Sequence, residues 1–214
     1  MEYQGRLQEV LRQAAALFSE KGYPSASIRD LSRVSGRSMA GLYYYFAGKE
    51  ELLYRICAQS LQEILEELDR SLPQIAPPQE KLRYLVAVHL DYFLNHRDEM
   101  RVLSQDSEFL QGEHKEKLAE QQKGYYLLCQ QVLREVWEEA GSGQEISREE
   151  LRLSTLALFG MINWVYKWYE PGKDLSSRDL ADWMTRFFLE GYLGSPATSP
   201  FPEQSLRGID SRME

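Results

Sequence analysis

Within the run from Ser35 to Leu53, SGRSMAGLYYYFAGKEELL, stand the side chains best suited to holding phosphate: Tyr43, Tyr44 and Lys49. Tyrosine hydroxyls on a rigid helix donate to phosphate oxygens at little entropic cost. A lysine near a helix N-terminus adds its charge to backbone N–H groups that already attract anions. Gly36 supplies a tight turn, Ser38 a helix cap, and Leu42 with Phe46 a buried i, i+4 pair, so Met39, Ala40, Tyr43 and Tyr44 are expected to face outward. Tyr45 lies close to the Leu42–Phe46 side and reads as core. For Arg37, an added phosphate contact and a solvated surface position are both open.

Three short helices must carry this run. Leu7, Val10, Leu11, Ala14 and Phe18 recur at spacings of three and four and predict a first helix that ends at Gly22. Ser27, with Asp30 three positions on, reads as the cap of a second helix whose Ile28, Leu31 and Val34 are expected to face inward. Three such helices, with a helix-turn-helix at the second and third, form a usual module for placing one helix in the major groove of DNA.

The combination Leu42-Tyr43-Tyr44-Tyr45-Phe46, a short gap, then Lys49-Glu50-Glu51-Leu52 resembles the tetracycline-repressor (TetR) family. There, a motif of the form LY-aromatic-aromatic-F followed by KE-x-L closes the DNA-binding domain and opens the helix to the regulatory domain. The resemblance covers the chain except its tail. It implies a helix-turn-helix domain over 1–50 and a helical regulatory and dimerisation domain over 51–194, while the Pro-containing 195–214 segment is expected to be poorly ordered. It also places the base-reading side chains at Met39, Ala40 and Gly41, with Arg29 on the preceding helix as the candidate for a guanine contact. Ser27, Arg37, Ser38, Tyr43, Tyr44 and Lys49 complete the expected DNA-binding set. Arg37 and Gly41 depart from the family's pattern, which has an apolar residue at the first position and a polar or β-branched one at the second. Gly41 costs about 1 kcal/mol of helix propensity relative to Ala. With so plain a reading edge, methyl contacts and DNA shape are expected to carry much of the specificity.

Beyond Lys49 a fourth helix is predicted to about Leu72, where Pro73, Pro77 and Pro78 break it. Apolar-periodic segments follow at roughly 79–95, 98–110, 113–140, 147–169 and 176–193, separated by turn signals such as GSG at 141–143 and PGKD at 171–174. No segment alternates with period two, so the fold is all-α. The stretch LRLSTLALFGMINWVYKWYE, 151–170, is apolar all round, as expected of a helix buried between a core and a partner. In TetR-like proteins the last two long helices of each subunit form a four-helix bundle across the dimer axis. The resemblance therefore implies a homodimer on a palindromic operator, with Leu156, Phe159, Gly160, Trp183, Phe187 and Tyr192 at the interface.

The phrases HLDYFLNHRDEMRVLSQD and GMINWVYKWYEPG are similar to the TetR subgroup that represses fatty-acid or steroid catabolism and responds to acyl-CoA thioesters. This implies an apolar pocket from Tyr92, Phe93, Leu103, Phe109, Tyr125, Asn163, Trp164 and Tyr166, with Arg97 or Arg101 for phosphates. A plain core aromatic is the competing reading at each position. Asn163 stands out as an amide in an apolar helix that needs a partner.

Composition narrows the alternatives. The 214 residues carry a formal charge of −8, which argues against indiscriminate nucleic-acid binding, yet residues 1–50 hold seven Lys and Arg against five acids. That slightly basic head, net +2, sits on a body of net −10. Cys57 and Cys129 have no partner at disulfide or zinc spacing, and His89 and His96, seven apart, lack ligand companions, so no metal or cofactor is expected. No Glu-x-x-His pair, Gly-rich phosphate loop, GxSxG or HExxH occurs, which argues against a helical-bundle enzyme. With no run of eighteen apolar residues, and an N-terminus MEYQGRLQEV unlike a signal peptide, no membrane association and a cytoplasmic location are expected. A regulator switched by a protein partner, or an activator, remains compatible with these residues.

Overall fold

The computed structural model describes residues 2–141 and 145–193, and all of their regular structure is helical. The predicted tail, 195–214, lies outside the described residues, as do Ser142 and Gly143 of the predicted GSG turn.

The head is built from α1 (Glu2–Lys21), α2 (Ile28–Ser35) and α3 (Met39–Tyr43). In α1 the stripe of Leu7, Val10, Leu11, Ala14 and Phe18 is buried, and Gly22, at φ 78°, ends the helix in the left-handed region that glycine enters without strain. The capping box at α2 is complete: Ser27 Oγ accepts from the Asp30 amide and the Asp30 carboxylate accepts from the Ser27 amide. Gly36, at φ 65°, turns the chain into α3, where Ser38 Oγ accepts from the Gly41 amide. Leu31, Leu42 and Phe46 fill the space between the helices. Val34 does not join them; it is 56% exposed. At 100° per residue, two steps of three positions carry it about 120° round the helix from Ile28, off the inward face.

A 23-residue helix, α4 (Lys49–Ser71), packs both on α1 and on the body. The body comprises α5 (Pro78–Asn95), α6 (Arg97–Gln105), α7 (Gly112–Glu139), α8 (Arg148–Asn163), α9 (Val165–Trp168) and α10 (Ser177–Tyr192). Helix α5 is its hub, touching α4, α7, α8, α9 and α10. The helix expected over 147–169 is broken at Trp164, and Arg97 donates to the carbonyls of Tyr166 (3.1 Å) and Tyr169 (3.2 Å), groups left over where α9 ends. The segment expected at 98–110 likewise divides, with a short 3₁₀ turn, Ser107–Phe109, after α6.

Helices α8 and α10 are two-faced. Leu151, Thr155, Leu158 and Ile162 are buried on the inner side of α8, while Leu153 and Leu156 on the same helix, and Trp164 and Trp168 after it, are exposed. On α10, Leu180, Met184 and Phe188 are buried, whereas Trp183 and Phe187 stack on one another in solvent at 5.2 Å between centroids.

Candidate DNA interface and effector cavity

Capping fixes where α3 points its side chains. Tyr43 and Tyr44 are 49% and 72% exposed, and Tyr45 is buried, as the spacing predicts. Ser27, Arg29, Ser38, Met39 and Ala40 are also exposed, while Gly41 is half-buried. A Cβ on Gly41 would stand 3.2 Å from Ser38 Oγ, the atom that caps the helix, so a larger residue here makes the cap shift by a few tenths of an ångström. Arg37 is half-buried with its guanidinium 5.8 Å from the Tyr45 ring, a stacked position and not a bare surface one. Sequence reasoning missed Tyr3. Its ring meets Tyr44 edge-on at 5.8 Å and Tyr45 at 5.3 Å, which ties α1 to the tyrosine run. Its one signal was the four-residue step to Leu7, which extends the apolar stripe by a turn.

Lys49 is the first residue of α4, whose N-cap, Gly48, offers no side-chain cap. Its ammonium sits 4.2 Å from the Tyr23 ring and 3.4 Å from the Pro24 carbonyl. Partial burial lowers its pKa, against an opposing pull from Asp106. Nearby, the Asp30 carboxylate is held down to about 2, first by the Ser27 hydroxyl and then by Lys21; the ion pairs to Lys21 (3.1 Å) and Arg33 (3.4 Å) offset its charge on this face.

In the body, α4 to α9 line an open cavity of about 910 Å³. Its wall includes Phe93, Leu103, Tyr125, Asn163, Trp164 and Tyr166, as expected. Four expected positions lie elsewhere. Tyr92, one residue and so about 100° round α5 from Phe93, faces the groove beside Glu63 and His96. Arg97 is committed to the carbonyls that close α9, and Arg101 is exposed, directed at Gln105. Phe109 stacks on Tyr23 of the head at 5.6 Å. Leu156 and Phe159, also expected at a dimer interface, border the cavity, as do His89, Gln105, Gln122, Lys123 and Tyr126, which sequence reasoning had not placed there. Asn163 is exposed at the end of α8, so its amide does not need the internal partner that the sequence suggested. His89 is buried, with Nδ1 2.9 Å from the Tyr125 hydroxyl and its ring on Phe93. Among the described residues no group of three or more His, Cys, Asp or Glu could hold a metal ion, and no helix is long and apolar enough to cross a membrane.

A head of this shape beside a hollow helical body has known counterparts. The profile "Bacterial regulatory proteins, tetR family" matches residues 10–56, and "Tetracyclin repressor-like, C-terminal domain" matches residues 76–192. The chain belongs to the TetR family. It is 21% identical over 155 residues to the fatty acid metabolism regulator protein of Bacillus subtilis, covering 72% of this chain and 78% of that one. A crystal structure of a TetR-family transcriptional regulator from Bordetella parapertussis superposes with a TM-score of 0.79 at 26% identity, over 88% and 96% of the two chains. AibR, solved with isovaleryl coenzyme A and operator DNA, shares the fold with a TM-score of 0.72 at 23% identity, over 85% and 97%. Like other members of its family, the protein is a DNA-binding transcriptional regulator.

Two further features bear on how this TetR protein works. The end of α6 and the turn that follows it have two sides: Ser104, Gln105 and Ser107 border the cavity, while Asp106 Oδ1 accepts from the Tyr23 amide at 3.4 Å. Burial raises the Asp106 pKa and the Tyr23 amide opposes the rise. A second tie joins the Gln111 amide to Glu50 Oε1 at 2.9 Å. Of the expected interface positions, Trp183, Phe187, Leu156 and Gly160 are exposed, but Tyr192 is turned inward: its hydroxyl donates to the Leu133 carbonyl at 3.0 Å and its ring packs on Phe188 and Trp137.

Proposed function

We propose that the protein is a homodimeric repressor that leaves a palindromic operator when a small apolar effector, an acyl-CoA in the leading version, enters the body cavity. Tyr43, Tyr44 and Lys49 hold phosphates, Arg29 and the Met39-Ala40-Gly41 tip approach base edges, and the recognition helices of the dimer stand about 34–36 Å apart, as two half-sites require. The stacked pair Trp183 and Phe187, with Leu156 and Gly160, supplies the apolar face that a second copy covers.

The observation that carries the effector reading is the 910 Å³ cavity whose rim is the same segment that grips the head through Asp106 and Tyr23. An occupant that displaces Ser104, Gln105 or Ser107 pulls on the contact beside Lys49. Complexes of AibR with isovaleryl coenzyme A and operator DNA give the acyl-CoA version its precedent. The apolar wall suits an acyl chain, and Lys123, exposed at the cavity, replaces Arg97 and Arg101 as the cation nearest a nucleotide phosphate. The test is an operator gel shift across acyl-CoA thioesters of rising chain length. Release by one length class is expected; no response to any thioester defeats the acyl-CoA version.

A further inference from the structure

His89 is 1% exposed, and its Nε2 is a buried polar atom without a hydrogen-bond partner, in a residue that forms part of the cavity wall. Leaving such a group unpaired costs about 1–3 kcal/mol, so its retention calls for a function. Its geometry narrows what that function is. Nδ1 lies 2.9 Å from the Tyr125 hydroxyl, and a phenol is the better donor and an imidazole the better acceptor of the two. Assigned this way, the pair leaves the proton on Nε2, which becomes a donor. The Ile162 carbonyl lies near the ring and favours a proton on it, yet Nε2 makes no hydrogen bond of acceptable geometry. Phe93, stacked on the imidazole at 3.9 Å, and the Tyr125 ring hold its plane fixed.

Resting on the effector reading above, we infer that His89, backed by Tyr125, is a polar anchor in the cavity: Nε2–H donates to the oxygen of an effector's uncharged carbonyl group. The anchor selects thioesters, esters or ketones over free carboxylic acids and over chains that lack the carbonyl. Burial keeps the imidazole neutral, with its pKa pushed down to about 3, and raises that of Tyr125, so neither group can supply charge to a carboxylate. Tyr125 is a positioning residue, because it sets the tautomer and does not itself meet the carbonyl.

The test measures affinity by calorimetry on the full chain with two matched pairs: lauroyl-CoA against dodecyl-CoA, the thioether without the carbonyl, and 2-decanone against decanoate. Wild type is expected to favour the carbonyl compound of each pair by about tenfold or more, which corresponds to about 1.4 kcal/mol. His89→Phe should bring both ratios near one, His89→Gln should restore part of them through its amide donor, and Tyr125→Phe should reduce them without changing the fold. Binding of 2-decanone that depends on His89, with no binding of lauroyl-CoA, supports the anchor and removes the acyl-CoA version of the effector. Equal affinities within each pair, ratios that survive His89→Phe and Tyr125→Phe, or no binding of any of the four probes overturn the anchor.

Discussion

Replacing Lys49 with alanine should flatten the salt dependence of operator binding as well as weaken it. Each lysine that neutralises a phosphate releases condensed counterions and contributes about 0.9 to the slope of log K against log salt, so the two subunits of the proposed dimer lose about 1.8. Between 50 and 200 mM salt that slope is worth about twelvefold, and the variant's penalty should therefore be about twelve times larger at the lower concentration. The free protein gives the control. The Lys49 ammonium rests on Tyr23 at 4.2 Å and on the Pro24 carbonyl, a partly exposed cation–π contact worth about 0.5–1 kcal/mol, so the variant should melt only slightly lower. Fluorescence anisotropy with a labelled operator at five salt concentrations, run on wild type, Lys49→Ala and Lys49→Arg, separates the effects. Lys49→Arg should keep the slope. Parallel lines for wild type and Lys49→Ala would refute the phosphate role, whatever the change in affinity at one salt.

The stacked Trp183 and Phe187 are both exposed, so Trp183→Ala with Phe187→Ala should leave subunit stability nearly unchanged while sedimentation shows monomer and operator affinity collapses; an intact dimer refutes the interface. His89 supplies a pH dependence. Its folded pKa of about 3 lies below the ordinary 6.5, so between those values the unfolded chain binds the proton and the folded one does not. By linkage wild type loses about 1.4 kcal/mol per pH unit, relative to His89→Phe, as pH falls through that window. Tyr125 and Cys129 beside it stay neutral throughout, since burial raises both. Denaturant melts of the two proteins that run parallel from pH 7 to pH 4 would contradict this. Asp106→Ala should preserve effector affinity by calorimetry while raising at least fivefold the effector concentration needed to release DNA; unchanged release would show that the Tyr23 contact carries no coupling.

How much was legible depended on the distance over which each feature is encoded. The head was readable because its determinants are local. Ser27 with Asp30, Ser38 after Gly36, and Leu42 with Phe46 each act within one helical turn, and each took the role its spacing implied. Val34 failed on the same scale, through helical drift over six residues. The cavity was readable only in part because its wall is drawn from six helices. Phe93 and Tyr125 could be named as aromatic, but which of Tyr92 and Phe93 faces inward is set by the angle at which α5 lies against α4 and α7. The sequence showed His89 only as a histidine without ligand companions; its unpaired Nε2 emerges only when the packing around it is known. Phe109 looked like a pocket aromatic and instead reaches Tyr23, 86 positions earlier in the chain, a contact no local pattern announces.

That contact explains why one short segment can serve two sites. Residues 104–107 are too few to form a layer between cavity and head, so alternate sides of the same turn must meet both: Ser104, Gln105 and Ser107 on one, Asp106 on the other. A displacement on the cavity side therefore cannot be absorbed by intervening packing. Tyr23 receives it at its amide, and its ring carries Lys49, the side chain proposed to hold the operator phosphate. Asp106 is also a weak grip, a buried carboxylate with a raised pKa on a 3.4 Å bond. The bond passes a shift of the turn to Tyr23 while adding little resistance of its own, so an occupant whose differential affinity for the two states is the usual 1–3 kcal/mol, about 5- to 150-fold, can drive it.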